Sequence, residues 1–221
     1  MKIDIVSDVA CPWCYIGKKN LEAAMAQRPD INFEVQWFPY QLHPEVPAAG
    51  YNYHETIARK YGAERITAMF EHITQVGKAS GIDFHFEKLE RGANTLQAHR
   101  LLDFAWPQGL QNALAEALFE AYFCKGVFVG DNNALTDIAV SVGMDRQQVS
   151  TFLANDTATA RVKEQIEFAR RNGVMGVPSF SFDGMFAISG GQASDVFLNA
   201  INRIHQKSLA TGTACTPESC P

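Results

Sequence analysis

The fold is decided by residues 2–27, which read KIDIVSDVACPWCYIGKKNLEAAMAQ. The first six of these residues alternate Ile3 and Ile5 with polar neighbours, which is the pattern of a short strand. After Cys11 and Cys14, apolar residues recur at helical spacing to the end of the segment. The sequence therefore predicts a strand, a tight turn and a helix, with a C-x-x-C motif at the turn.

Beyond this segment the pattern changes twice. A second strand is predicted around residues 33–40, and residues 43–173 then carry helical patterns without a convincing strand. Two strand patterns return within residues 177–188, where Asp183-Gly184 forms the kind of dipeptide that joins a hairpin. A last helix follows, before a tail with the character of irregular chain.

This order of elements predicts an α/β protein with a thioredoxin-like fold and a large inserted all-helical domain. Residues 1–42 and 174–210 are assigned to the thioredoxin-like domain, and residues 43–173 to the insertion. Residues 211–221 are predicted to form a flexible, cysteine-containing tail. We expect the inserted helices to lie over the end of the sheet that carries the C-x-x-C turn.

Composition and charge exclude several classes of protein. Hydrophobic residues make up 47% of the 221 residues, and 19 Lys and Arg against 24 Asp and Glu give a net charge of −5. Such a charge repels a phosphate backbone, so nucleic acid is not expected as a partner. There is no apolar run of about 18 residues, and no membrane association is expected. Asp4 and Asp8 interrupt the place where a signal peptide would be apolar, which predicts a cytoplasmic protein.

The two N-terminal cysteines have the spacing of a redox dithiol. A thiol is a nucleophile only as thiolate, and the N-terminus of a helix favours negative charge. Cys11 is therefore assigned as the attacking thiolate. Cys14, one turn into the helix, is assigned as the thiol that resolves a mixed disulfide.

A structural zinc site is the alternative reading of these cysteines. Cys11 and Cys14 would form one half of a four-cysteine set, and Cys215 and Cys220 the other half. This reading places half of the site in a strand-to-helix turn and half in a loose tail. The context of a strand before the motif and an amphipathic helix after it favours redox chemistry, and no metal is predicted.

The segment Gly176-Val177-Pro178 supplies a second part of the predicted site. By itself, a proline at this place is expected to be trans, at the start of a strand. The chain as a whole, however, resembles the DsbA-like branch of the thioredoxin superfamily, most closely its FrnE group. The resemblance rests on Ser7-Asp8, Cys11-Pro12-Trp13-Cys14-Tyr15-Ile16-Gly17, Asn94-Thr95 with Ala98-His99-Arg100, Gly176-Val177-Pro178 and Ser189-Gly190-Gly191-Gln192.

The resemblance implies a thiol–disulfide oxidoreductase acting on protein or small-molecule disulfides. It also implies a cis peptide bond before Pro178, and Val177 backbone atoms that pair with an extended substrate. No cofactor is implied, although glutathione is a candidate co-substrate. The oligomeric state is left open.

The same resemblance extends to 2-hydroxychromene-2-carboxylate isomerases and kappa-class glutathione transferases. Those proteins carry serine at the position of Cys11 because they bind the glutathione thiolate. The dithiol of this chain favours the oxidoreductase, and a glutathione-dependent isomerase or transferase is the alternative.

Four further residues are candidates for a role at the site. Trp13 is predicted either to recognise substrate or to cover the sulfurs, and His99 either to contact substrate or to make a structural hydrogen bond. Cys215 and Cys220 are either inert surface thiols or a second redox pair that exchanges electrons with the first. Two more residues receive structural assignments, Asn94 as a helix cap and Cys124 as a buried, inert thiol.

Overall fold

The computed structural model describes residues 1–212, which form six strands and nine α-helices. In chain order these are β1 (Lys2–Ser7), α1 (Pro12–Met25), β2 (Glu34–Pro39), β3 (Tyr51–Asn52), α2 (Tyr53–Tyr61), α3 (Ala63–Ala79), β4 (Arg91–Gly92), α4 (Leu96–Ala105), α5 (Gln111–Phe119), α6 (Asn132–Ser141), α7 (Arg146–Leu153), α8 (Thr159–Arg171), β5 (Ser179–Phe182), β6 (Phe186–Ser189) and α9 (Ser194–Gly212). Short 3₁₀ turns lie at Phe86–Lys88 and Trp106–Gln108, and α5 continues into a π-helical turn at Glu120–Cys124.

The central sheet has four strands in the order β2-β1-β5-β6. β1 runs parallel to β2, as the crossover through α1 predicts, and antiparallel to β5. β5 and β6 form the predicted hairpin, whose turn residues Asp183 and Gly184 both have positive φ. The predicted thioredoxin-like fold is confirmed.

One face of this sheet forms the hydrophobic core beneath the C-x-x-C helix. Ile3 and Ile5 of β1 are paired with Phe182 and Phe180 of β5, and all four side chains are buried. The Phe180 ring packs edge-on against Phe197 of α9, with 4.7 Å between centroids. This layer of large side chains supports α1 from below.

Gly17 allows α1 to approach the sheet closely. A Cβ atom at this position would lie 2.8 Å from Cζ of Phe180 and 3.3 Å from the Cα of Gly191. Any larger residue would push α1 away from β5. The position of the C-x-x-C turn relative to β5 therefore depends on a residue with no side chain.

The segment between β2 and β5 is helical, with one exception that the sequence analysis missed. β3 and β4 pair as a two-residue antiparallel ladder, Tyr51 opposite Gly92 and Asn52 opposite Arg91. Strands of two residues are too short to show an alternating pattern. The division of the chain into two domains at the predicted boundaries stays a prediction.

The predicted cap of α4 was wrong in detail. Thr95, not Asn94, precedes the first helical residue, and its side chain caps nothing. Asn94 instead accepts a hydrogen bond from the backbone N–H of Leu96 and donates one to the carbonyl of Val46. The side chain of Gln97, three residues after Asn94, accepts from Arg100. Asn94 thus keeps one local bond to the start of α4 and adds a tertiary bond to Val46.

A buried lysine joins α1 to the inserted helices. The ammonium group of Lys18 lies 2.6 Å from carboxylate oxygens of both Glu22 and Glu116, the latter on α5. Glu116 also accepts a hydrogen bond from the Tyr15 hydroxyl at 3.0 Å. These contacts hold α1 against α5, in addition to the packing of α1 on the sheet. Among the helices of residues 1–212, none has the length and hydropathy needed to cross a membrane.

Candidate active site

Cys11 occupies the N-cap position of α1. Its backbone is extended (φ −102°, ψ 111°), Pro12 follows in the first turn, and no acidic residue lies in that turn. The positive end of the helix dipole therefore acts on the Cys11 sulfur without a local negative charge to oppose it. The Cys11 thiol donates to the carbonyl oxygen of Val177, with 3.6 Å between sulfur and oxygen.

Cys14 lies one turn further along, fully buried beside Cys11. Burial raises the pKa of its thiol well above the usual value, and the hydrogen bond to Cys11 and the negative charge of that residue act in the same direction. The Ser7 hydroxyl and the Asp8 backbone N–H oppose this effect but do not overcome it. The Cys14 thiol therefore keeps its proton.

The loop before β5 places Val177 and Pro178 against the cysteines. The peptide bond between these two residues is cis. The Pro178 carbonyl accepts a hydrogen bond of 2.8 Å from the Gly190 backbone, which ties this loop to the end of β6. The loop, which follows α8, thus brings Val177 to Cys11 from the opposite end of the chain.

A groove of about 1320 Å³ opens beside this loop. Its walls are residues 173–178, side chains of α8, and the sheet face that turns away from α1. Phe168 of α8 and Met175 of the loop are both exposed there, Met175 by 94% of its surface. The groove therefore offers apolar side chains to a ligand, and its wall includes Val177, whose carbonyl contacts the Cys11 sulfur.

Asp8 and His99 form a buried pair next to the C-x-x-C turn. His99 Nε2 lies 3.4 Å from Asp8 Oδ1, and each side chain is only 2% exposed. Burial alone would raise the pKa of Asp8, but attraction to His99 and the N–H of Leu42 lower it below its usual range. The backbone carbonyl of Asp8 accepts from Cys11 N–H at 3.0 Å, so the pair is continuous with the turn.

His99 was a candidate from the sequence, but Asp8 had no predicted role at the site. Asp8 was one of the residues that carry the family resemblance, and otherwise a polar residue after a strand, which is a usual place for aspartate in a turn. Its partner is 91 positions away along the chain, on α4, and no local spacing connects the two. Arg100, next to His99, is buried for a different purpose, since it donates to the backbone carbonyls of Phe152 and Thr157.

Residues 2–202 match the DsbA-like thioredoxin domain. The chain belongs to the DsbA-like thioredoxin family. The uncharacterized protein YwbO of Bacillus subtilis (strain 168) is 25% identical over 206 residues, covering 93% of this chain and 98% of YwbO.

Solved structures of DsbA-like proteins share the fold over nearly the whole chain. A probable DsbA oxidoreductase from Streptomyces coelicolor is 28% identical, with a TM-score of 0.86 over 100% of this chain and 94% of that one. A 2-hydroxychromene-2-carboxylate isomerase is 18% identical, with a TM-score of 0.71 over 96% of this chain and 99% of that one. The cytosolic disulfide reductase DsbM of Pseudomonas aeruginosa, in its structure with GSH, is 15% identical. Its TM-score is 0.66 over 93% of this chain and 100% of that one. The resemblance to DsbA-like proteins noted in the sequence is thereby confirmed.

The remaining predicted residues of this DsbA-like chain lie in different places. Trp13 is half-buried, and its ring centroid lies 6.0 Å from that of His72 on α3, so the insertion covers part of it. Cys124 is only half-buried, although burial raises the pKa of its thiol to about 11, which keeps it protonated. Cys215 and Cys220 lie outside the described residues. Within residues 1–212, no cluster of three or more potential ligands could hold a metal ion.

Proposed function

We propose that the protein is a thiol–disulfide oxidoreductase that works through Cys11 and Cys14. The observation that carries this proposal is the asymmetry of the two thiols. Both side chains are buried, but Cys11 keeps 4% of its surface exposed, lies at the helix N-terminus and contacts the Val177 carbonyl, whereas Cys14 has no exposed surface and retains its proton. A nucleophile and a protected resolving thiol are what disulfide exchange requires.

The exchange proceeds in two displacements. The Cys11 thiolate attacks one sulfur of a substrate disulfide, forming a mixed disulfide and releasing the other substrate sulfur as thiolate. Cys14 then loses its proton and attacks Cys11, which forms the Cys11–Cys14 disulfide and releases the second substrate sulfur. The substrate gains two electrons, and the protein dithiol loses them. In the reverse direction the same steps oxidise a substrate dithiol.

The groove beside Val177 favours an extended polypeptide as one substrate. Its length along the sheet face and its exposed Phe168 and Met175 suit an unfolded chain better than a compact ligand. Glutathione is the small thiol that we propose as co-substrate, since the structure of DsbM, a fold relative, was solved with GSH. We propose a cytoplasmic location, where such a thiol is abundant.

Two assays run in parallel test this function. We expect the purified protein to accelerate the reduction of insulin disulfides, with glutathione or dithiothreitol as reductant. The alternative, a glutathione-dependent isomerase or transferase, predicts conjugation of glutathione to an electrophile and no insulin reduction. Metal analysis of the same sample tests the zinc alternative. Stoichiometric zinc, or conjugation without disulfide exchange, would contradict the proposal.

The tail cysteines are proposed as a second redox pair, and the course of α9 restricts how they could act. Arg28 near the end of α1 bonds Asn202, so α9 runs away from Cys11. α1 is roughly 21 Å long, and α9 continues for about 15 Å from Asn202 to Gly212, so the end of α9 lies more than about 30 Å from Cys11. The eight residues from Gly212 to Cys220 can span at most about 28 Å. Transfer from the tail pair to Cys11 within one chain is therefore less favourable than transfer between two chains.

We expect Cys215→Ser/Cys220→Ser to slow recycling of the Cys11–Cys14 disulfide under limiting reductant. Because the transfer is proposed to occur between chains, the difference from the unsubstituted protein should grow with protein concentration. Cys124→Ser is the matched control and should recycle normally. Equal rates for the double variant and the unsubstituted protein at every concentration would leave the tail thiols without a redox role.

A further inference from the structure

The groove beside Val177 has a polar floor. The floor is the sheet face turned away from α1, where Asp4 of β1 lies opposite Ser181 and Ser179 of β5 lies opposite Ser189 of β6. All four of these side chains are at least partly exposed. Small hydroxyl side chains leave room for another chain above the sheet and can hydrogen-bond to its backbone. The floor therefore suits an extended main chain.

The charged side chains that line the groove are Asp4, Arg161 and Glu164. The Arg161 guanidinium donates to the Asp103 carboxylate from both Nε and Nη2, with 3.1 Å between Nε and Oδ2, so its charge is neutralised. Glu164 of α8 is exposed and has no ion-pair partner among the residues that the structure describes. The α8 wall therefore presents an unpaired negative charge to the groove.

Asp4 adds a second negative charge, on the floor. Its Oδ1 lies 3.2 Å from Nζ of Lys2, but this contact lacks the geometry of a hydrogen bond, and within residues 1–212 the buried oxygen has no hydrogen-bond partner. A buried polar atom without a partner calls for a physical explanation. The Lys2 side chain is 46% exposed, and ion pairs at such positions contribute little. A cation carried by a ligand can therefore replace Lys2 and satisfy Asp4.

Asp4 is within reach of a substrate that is held at Cys11. Val177, whose carbonyl contacts the Cys11 sulfur, precedes Ser181 by four residues, and Ser181 lies opposite Asp4. Four residues of extended chain span at most about 14 Å. A polypeptide that runs from Cys11 along the groove therefore brings the residue about four positions from its own cysteine beside Asp4.

We propose that the groove selects polypeptide segments that carry lysine or arginine about four residues from the reactive cysteine. Asp4 and Glu164 bind the cation, which donates hydrogen bonds to their carboxylates. Apolar side chains of the same segment contact Phe168 and Met175 on the groove wall. This inference rests on the proposed function, because the selected segment is the substrate that the Cys11 thiolate attacks.

Competition between peptides measures the selection directly. Each peptide is a symmetric disulfide dimer of one sequence, with lysine, glutamine or glutamate four residues before or four residues after its cysteine. Cys11 attacks either of the equivalent sulfurs, which forms a mixed disulfide with one peptide and releases the other as thiolate. Serine replaces Cys14, Cys124, Cys215 and Cys220, so the adduct at Cys11 accumulates. Mass spectrometry of the adducts formed early from an equimolar mixture gives the ratio of the rate constants.

In at least one of the two placements, we expect the lysine peptide to be trapped about threefold to tenfold faster than the glutamate peptide at low salt, with glutamine between them. The preference should fall below about twofold at 1 M salt, where the Debye length is about 3 Å. Asp4→Asn/Glu164→Gln should bring the ratio close to one. Glu167→Gln, which removes an acidic side chain of α8 that does not line the groove, is the matched control and should keep the preference.

The outcomes separate this inference from the proposed function. If no peptide forms an adduct with Cys11, the proposed function fails. If adducts form but the lysine and glutamate peptides are trapped equally at low salt, the selection is refuted and disulfide exchange stands. A lysine preference that persists in Asp4→Asn/Glu164→Gln would also refute it, since the selection would then arise elsewhere on the surface. Glu164→Gln alone changes only an exposed side chain, so an unaltered preference in that variant refutes the role of α8 even if the double variant does not fold.

Discussion

Cys11→Ser is expected to abolish disulfide exchange, whereas Cys14→Ser should leave the first displacement intact and trap substrates. Serine is a far weaker nucleophile than a thiolate, so without the Cys11 sulfur no mixed disulfide forms. Without Cys14 the mixed disulfide at Cys11 has no internal competitor. Insulin reduction and mass spectrometry of the trapped adducts measure the two effects.

The asymmetry between these variants is the sharpest test of the assigned roles. Cys124→Ser serves as control, because Cys124 is a half-buried thiol of the π-helical turn, outside the proposed machinery. It should retain full activity. Adducts that accumulate on Cys14 in Cys11→Ser, rather than on Cys11 in Cys14→Ser, would reverse the assignment of attacking and resolving thiols.

Phe180→Ala should lower the free energy of unfolding by about 3–5 kcal/mol, the usual cost of emptying a fully buried aromatic site. The Phe180 ring is fully buried, packs edge-on against Phe197 and contacts the position where Gly17 brings α1 to the sheet. Its removal would leave a cavity beneath the C-x-x-C helix. Denaturant-induced unfolding followed by circular dichroism measures the loss.

The matched control lies on the neighbouring strand. Phe186 of β6 pairs with Phe182 but is 42% exposed, so Phe186→Ala should cost no more than about 1 kcal/mol. Equal losses in the two variants would show that the layer under α1 does not carry the stability assigned to it.

Much of this protein was predictable because the informative signals are local. The alternation in β1, the cysteine spacing at the start of α1 and the Asp183-Gly184 turn each depend on neighbouring residues. Backbone geometry imposes these patterns on a helix, strand or turn whatever the rest of the protein does. The fold and the two candidate redox cysteines follow from them.

Other features could not be predicted from the sequence because their partners are distant along the chain. The β3–β4 ladder is too short to show a period, and Asn94, besides its bond to the start of α4, donates to the distant carbonyl of Val46. The sequence offered a substrate role and a structural role for His99 with nothing to decide between them. In each case the fold decides which residue, distant along the chain, makes the contact.

The sequence by itself determined the order of elements, the presence of a dithiol at a helix N-terminus and the sheet that supports it. Only the tertiary structure decided the surroundings of that dithiol. It buried Cys14 over Ser7, brought Val177 from the end of the chain to Cys11, and paired Asp8 with His99 from the inserted helices. The physical reason is that burial and electrostatic interaction depend on distance in space, which residue spacing encodes only within one helix or strand.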